Sequence, residues 1–102
     1  MNNFEAIFCV VNSGFSDLAM ESAKQVGARG GTVLHARGTA SKDAEKLFNI
    51  TIEPEKEIVM IIIPSELKES ILNALYNSVG TKTPAQGIAF ALPVDDVVGI
   101  QK

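Results

Sequence analysis

Tryptophan is missing from this chain of 102 residues, and cysteine, histidine and tyrosine occur once each. A lone cysteine, Cys9, rules out an internal disulfide, and its place in an apolar run suits a buried free thiol in a reduced compartment. A lone histidine, His35, leaves no second His or Cys at metal-ligand spacing. Neither a nucleophile elbow nor a Walker A sequence occurs. Asp95 and Asp96 are adjacent, so in a strand they would point to opposite faces, which is poor geometry for an acid/base pair. Nothing here argues for an enzyme. Positive charge is also short. The net charge of −3 gives nucleic-acid binding no electrostatic support. The N-terminus has no basic region, and its apolar run is too short for a signal peptide or a membrane span, so a cytoplasmic chain is expected.

What is present is an ordinary globular balance, 46% hydrophobic and 21% charged, over a length that suits one domain spanning 1–102. The most informative stretch is Gly27 to Gly38, two glycine clusters around a short apolar run. Gly27 can stop a helix in the left-handed conformation, and Gly30 and Gly31 leave bare backbone where a strand begins. Read locally this is a tight helix-to-strand turn. Bare backbone beside the small hydroxyl of Thr32 would also suit close approach by a phosphate.

In chain order, Phe4 to Val11 reads as a strand buried on both faces, and Asn12-Ser13-Gly14 as a turn. Ser16 is the cap candidate of a helix with Leu18, Ala19, Ala23 and Val26 on one face. A second strand runs from about Gly31 to Arg37. Thr39 to Lys56 is a long, mixed-charge connection in which Leu47 and Phe48 could dock on a partner or on the sheet. Glu57 to Pro64 is the most β-prone stretch and lacks alternation, so it too should be central. Ser65 would cap a second helix carrying Leu67, Ile71, Leu72, Leu75 and Val79, with Gly80 as its stop. After the polar loop Thr81 to Gly87 comes a strand at Ile88 to Pro93, and Val94 to Ile100 could add a short fifth.

The order predicts an α+β, ferredoxin-like βαββαβ sandwich with a long loop after strand 2 and a short C-terminal strand. Two helices can cover only one sheet face, yet both central strands read as apolar on both. Further copies of the chain are the cheapest cover, so a homo-oligomer is expected.

The run G-G-T-V-L-H-A-R-G, then a long polar loop, then T-P-A-Q-G-I-A-F-A-L-P-V-D-D-V-V-G-I, resembles the P-II-like nitrogen regulatory proteins over nearly the whole chain. The resemblance implies a homotrimer with its sheets at the centre. It also implies adenine-nucleotide binding in clefts between subunits, and a T-loop, here about 39–56, that reports the ligand to a regulated enzyme, transporter or regulator. It implies no required cofactor, with ATP, ADP or AMP as effector. Carried over residue by residue, the nucleotide site comprises Thr32, Arg37, Gly38, Thr39, Ile62, the phosphate-facing B-loop residues Lys82, Thr83, Ala85, Gln86 and Gly87, and Ile7 from the first strand. Lys56 matches a loop-end lysine used with 2-oxoglutarate in the family.

Departures from the pattern matter as much. Ile88 stands at the family's B-loop lysine, and two C-terminal arginines have no counterpart, with Gly99 and Gln101 in their place. Each missing charge-assisted contact removes on the order of 1.5–3 kcal/mol of binding. The loop has no tyrosine to be uridylylated. Two functions therefore stand side by side: an effector-binding trimeric signalling protein, and a constitutive partner-binding or structural trimer whose nucleotide site has decayed.

Overall fold

The computed structural model describes residues 3–39 and 54–100. Among the described residues four strands and two helices follow in the order β1 (Phe4–Asn12), α1 (Ser16–Gln25), β2 (Thr32–Arg37), β3 (Glu55–Pro64), α2 (Lys68–Val79) and β4 (Ile88–Val94), with a 3-10 turn at Ser65–Leu67 before α2. The sheet order is β2-β3-β1-β4 and every neighbouring pair is antiparallel. This is the expected ferredoxin-like sandwich, with β1 and β3 at its centre.

Strand parity decides which side chains meet. Ile7 lies opposite Ile61 and Ala91, and Cys9 opposite Val59 and Ala89, so these share one face. That face is the core: Ile7, Val11, Val59, Ile61 and Ile63 are fully buried. Above it α1 contributes Ala19 and Ala23, and α2 contributes Ile71, Leu75 and Val79, one buried residue per turn. Small residues on α1 bring that helix close to α2; α1 lies over β3, while the longer side chains of α2 fill the space over β1 and β4.

The opposite face carries the other parity. Phe8 stacks on Phe90 with ring centroids 5.4 Å apart, beside Ile58 and Met60. Leu34, Ile62, Ile88 and Leu92 on this side are exposed large hydrophobics, Ile88 at 61% and Leu92 at 50%. Among the described residues no helix covers this face.

Several local expectations are corrected. Ser16 is the first helical residue rather than the cap, and Phe15 precedes it without a side-chain cap bond. Ser65 enters the 3-10 turn, again without a cap bond, and α2 begins only at Lys68. The proposed fifth strand is absent: β4 ends at Val94 and residues 95–100 form no strand. The tail bends away after Asp95, and Gly99 takes the left-handed conformation at φ +96°, which an extended ladder does not accommodate. The central strands are also longer than expected, since β1 reaches Asn12 and β3 starts at Glu55. Leu47 and Phe48 fall outside the described residues. Gly27 does end α1's turn at φ +117°, whereas Gly80 is extended and is needed for space, because a Cβ there would strike the Tyr76 carbonyl.

Replacing Ile61 by Ala should cost about 2–5 kcal/mol in urea unfolding, because its side chain is wholly enclosed. Val98→Ala, at a nearly fully exposed position, should stay within about 0.5 kcal/mol.

Candidate functional site

The antiparallel order brings four chain segments to one end of the sheet: the end of β1, the end of β2, the start of β3 and the loop 81–87 leading into β4. Asn12 and Ala36 both lie opposite Lys56, and Arg37 opposite Glu55. The Gly38 amide donates to the Pro54 carbonyl, which closes a neck where the chain leaves β2 and re-enters β3. Gly38 lies flat on Lys56, since a Cβ there would sit 2.9 Å from Lys56 Cε. Lys56 Nζ donates to Asn12 Oδ1 at 2.6 Å.

From Asn12 the contacts pass to the loop. Asn12 Nδ2 donates to the Pro84 carbonyl at 3.0 Å and to Gln86 Oε1 at 3.3 Å, and its backbone N–H donates to the Ala85 carbonyl at 2.9 Å. The loop is also braced internally. Thr83 Oγ1 donates to the Gly80 carbonyl and accepts from the Ala85 N–H, and the Gln86 N–H donates to the Thr83 carbonyl. Ala85 is fully buried, pinning the loop to the core. Gln86 has φ +49°, an uncommon value for a residue with a side chain. Gly87 donates to the Val79 carbonyl, and a Cβ there would collide with that oxygen and press on Val11 at 3.0 Å. Only glycine fits.

A second group lies elsewhere. Thr32 and Ile62 line a cavity of about 600 Å³ with Gly27 to Gly31, Met60, Leu67 and the tail residues Gly99 and Ile100. Gly31 allows β2 to start hard against β3, because a Cβ would stand 2.6 Å from the Met60 carbonyl oxygen. Arg29 is the only cation among the lining residues. Thr32 is five strand steps from Arg37, about 17 Å. Of the residues singled out in the sequence, Arg37, Gly38, Thr39, Lys82, Thr83, Ala85, Gln86 and Gly87 therefore gather at one end of the sheet. Thr32 and Ile62 lie toward the other. Ile7 joins neither group: it is in the core under the helices and does not line that cavity.

The family model described as Nitrogen regulatory protein P-II matches residues 4–102. The chain belongs to the P-II family. Its fold is that family's signal-transduction fold, and solved structures agree. The PII of Arabidopsis thaliana, solved bound to citrate, shares 23% identity at a TM-score of 0.74, over 98% of this chain and 82% of that one. A protein of unknown function from Pediococcus pentosaceus shares 14% at 0.69, over 98% and 100%. A chain from Thermus thermophilus named for PII-like signaling shares 22% at 0.67, over 91% and 87%. At these identities the likeness is one of fold.

Two polar residues of this P-II chain were not legible as functional. Asn12 read as part of a turn, and Glu57 as the first residue of a strand. The Glu57 carboxylate accepts the Gly14 N–H at 3.0 Å and the Ser16 N–H at 3.2 Å, so β3 supplies the acceptor that α1's own first turn lacks. No local signal pairs residues 41 positions apart. His35, 87% exposed, lies 4.0 Å away from Glu57, which is 12% exposed. Desolvation pushes the Glu57 pKa up, but the Gly14 and Ser16 hydrogen bonds and the nearby His35 outweigh it and hold the carboxyl below its ordinary value. Burial pushes the Cys9 thiol up to about 11, so it stays protonated and unreactive at neutral pH. Among the described residues no cluster of His, Cys, Asp and Glu could hold a metal ion, and no helix is long and apolar enough to cross a membrane.

A depressed carboxyl pKa adds stability above its unfolded value, and the gain disappears as pH falls through the folded one. Glu57→Gln should therefore lower the urea midpoint at pH 7, and the gap to the native protein should shrink steadily on acidification below the ordinary carboxylate range.

Proposed function

We propose that the protein is a homotrimeric P-II-like signalling protein. It binds an adenine nucleotide or another small anionic effector in clefts between subunits, and acts on a partner protein through the 39–56 segment, in nitrogen regulation as the family's name suggests. The observation that carries the reading is the split of the candidate residues. Arg37 is about 17 Å along the sheet from Thr32, with Gly38 and Thr39 beyond it and the loop 81–87 three strands across, too far for one small ligand to reach both groups in a single copy. Packing copies through the exposed apolar face would set one copy's loop end beside its neighbour's Thr32 and Ile62. The Arabidopsis relative, solved with citrate, supports an anion as effector.

In this reading residues 1–102 form one P-II-like domain. It works in the cytoplasm, where the buried free thiol of Cys9 suits reducing conditions, without a required cofactor and without catalysis. The effector selects among states of the 39–56 segment by its differential affinity for them.

A second reading, a constitutive partner-binding trimer with a decayed nucleotide site, is favoured by one feature. Ile88, an exposed apolar residue, stands where the family has its B-loop lysine.

Calorimetric titration with ATP, ADP, AMP and citrate separates the two. Effector sensing predicts saturable binding of at least one of them, weakened by one to two decades in Arg37→Ala, the loss of a charge-assisted contact. Silence for all four, with partner capture unaffected by nucleotide, supports the second reading.

A further inference from the structure

Asn12 is a buried polar side chain with every polar group occupied, and its partners come from two segments far apart in sequence. On one side is Lys56, which lies under Gly38 at the neck of the segment whose ends meet at Gly38 and Pro54. On the other are Pro84, Ala85 and Gln86 of the braced loop. The amide orientation is fixed by chemistry. The Lys56 ammonium can only donate, so it faces Oδ1, and the Pro84 carbonyl can only accept, so it faces Nδ2. Neither contact survives a flip of the amide. From this connected set of contacts we infer that Asn12 is a relay, a positioning residue that transmits displacement of loop 81–87 to the neck at Gly38, Pro54 and Lys56.

The inference rests on the reading that an effector meets loop 81–87, and it specifies how that event reaches the neighbouring segment. Lys56 is the lever. Its chain is wedged under Gly38, and its ammonium is anchored on Asn12. A loop that draws Asn12 by a fraction of an ångström changes the support beneath Gly38. Packed polar contacts of this kind carry coupling because losing either partner leaves a buried group unsatisfied.

Amide hydrogen exchange in the ligand-free protein tests the relay independently of any effector. The reporters are the Gln86 amide, bonded to Thr83, and the Gly38 amide, bonded to Pro54. Lys56→Met should speed exchange at Gln86 by about tenfold, and Gln86→Ala should do the same at Gly38. The core amides of Cys9 and Ile61 should stay unchanged. Asn12→Asp keeps an acceptor for Lys56 and removes both side-chain donors to the loop, leaving only the backbone N–H bond to Ala85. In that background Gln86→Ala should no longer reach Gly38, an outcome that a merely stabilising Asn12 does not produce. Substitutions felt only within their own segment, or a uniform rise that includes Cys9 and Ile61, overturn the relay. If Asn12→Asp does not fold, the Lys56→Met and Gln86→Ala arms decide alone. With saturating ATP as probe, exchange at Gly38 should slow in the native protein and not in Asn12→Asp. If ATP does not bind, the nucleotide reading suffers, while the ligand-free arms still judge the relay.

Discussion

A sheet that is apolar on both sides needs two covers, and the described residues supply one. The helices take the face of Ile7, Val59 and Ile61. The other face presents Leu34, Ile62, Ile88, Phe90 and Leu92 to its surroundings. Each is already about half buried in the single chain, so completing its burial yields about half of the 1.5–3 kcal/mol that full burial gives. Five per copy offset the lower part of an association penalty that runs from about 4 to 15 kcal/mol. The apolar composition of β1 and β3 is what makes them central, and it is also what leaves apolar surface on the open face of a single copy.

The candidate site follows from the same topology. Antiparallel order β2-β3-β1-β4 places the end of β2, the start of β3 and the loop before β4 at one edge of the molecule. It leaves the glycine-rich entry to β2 farther along the strand. Two polar side chains tie the segments there together. Asn12 joins Lys56 to loop 81–87, and Glu57 joins β3 to the first turn of α1. Both sit on the ends of central strands, where backbone groups lack ladder partners: the Pro84 carbonyl is met by Asn12, the Gly14 and Ser16 N–H groups by Glu57. Side chains carry those bonds, so this end of the sheet is specified by a few polar contacts and the core by packing.

Much of the fold was legible because its signals are local. Apolar runs at Phe4 to Val11 and Ile58 to Ile63 announced the central strands, and the spacing of Ile71, Leu75 and Val79 announced α2. Gly27 and Gly87 were legible as special positions, although the collision of a Cβ at Gly87 with the Val79 carbonyl needs three dimensions to appear. The caps were misjudged at Ser16 and Ser65 because serine before a helix is a local pattern. Here the acceptor for α1 comes from Glu57, far away in sequence. The fifth strand was misjudged because Val97, Val98 and Ile100 look β-prone, whereas the left-handed Gly99 breaks the extended path and the tail end lines the cavity beside Ile62 instead. The list of site residues could be drawn up from resemblance alone. Its division into two separated groups could not, since strand register and direction decide which ends coincide.

The most direct test is the mass of the purified protein in solution, by light scattering at micromolar concentration. The account predicts three times the chain mass of 10.9 kDa, falling toward a single chain when Phe90, stacked on Phe8 in the open face, is replaced by Lys. A native protein that stays folded and monomeric across that concentration range would contradict it.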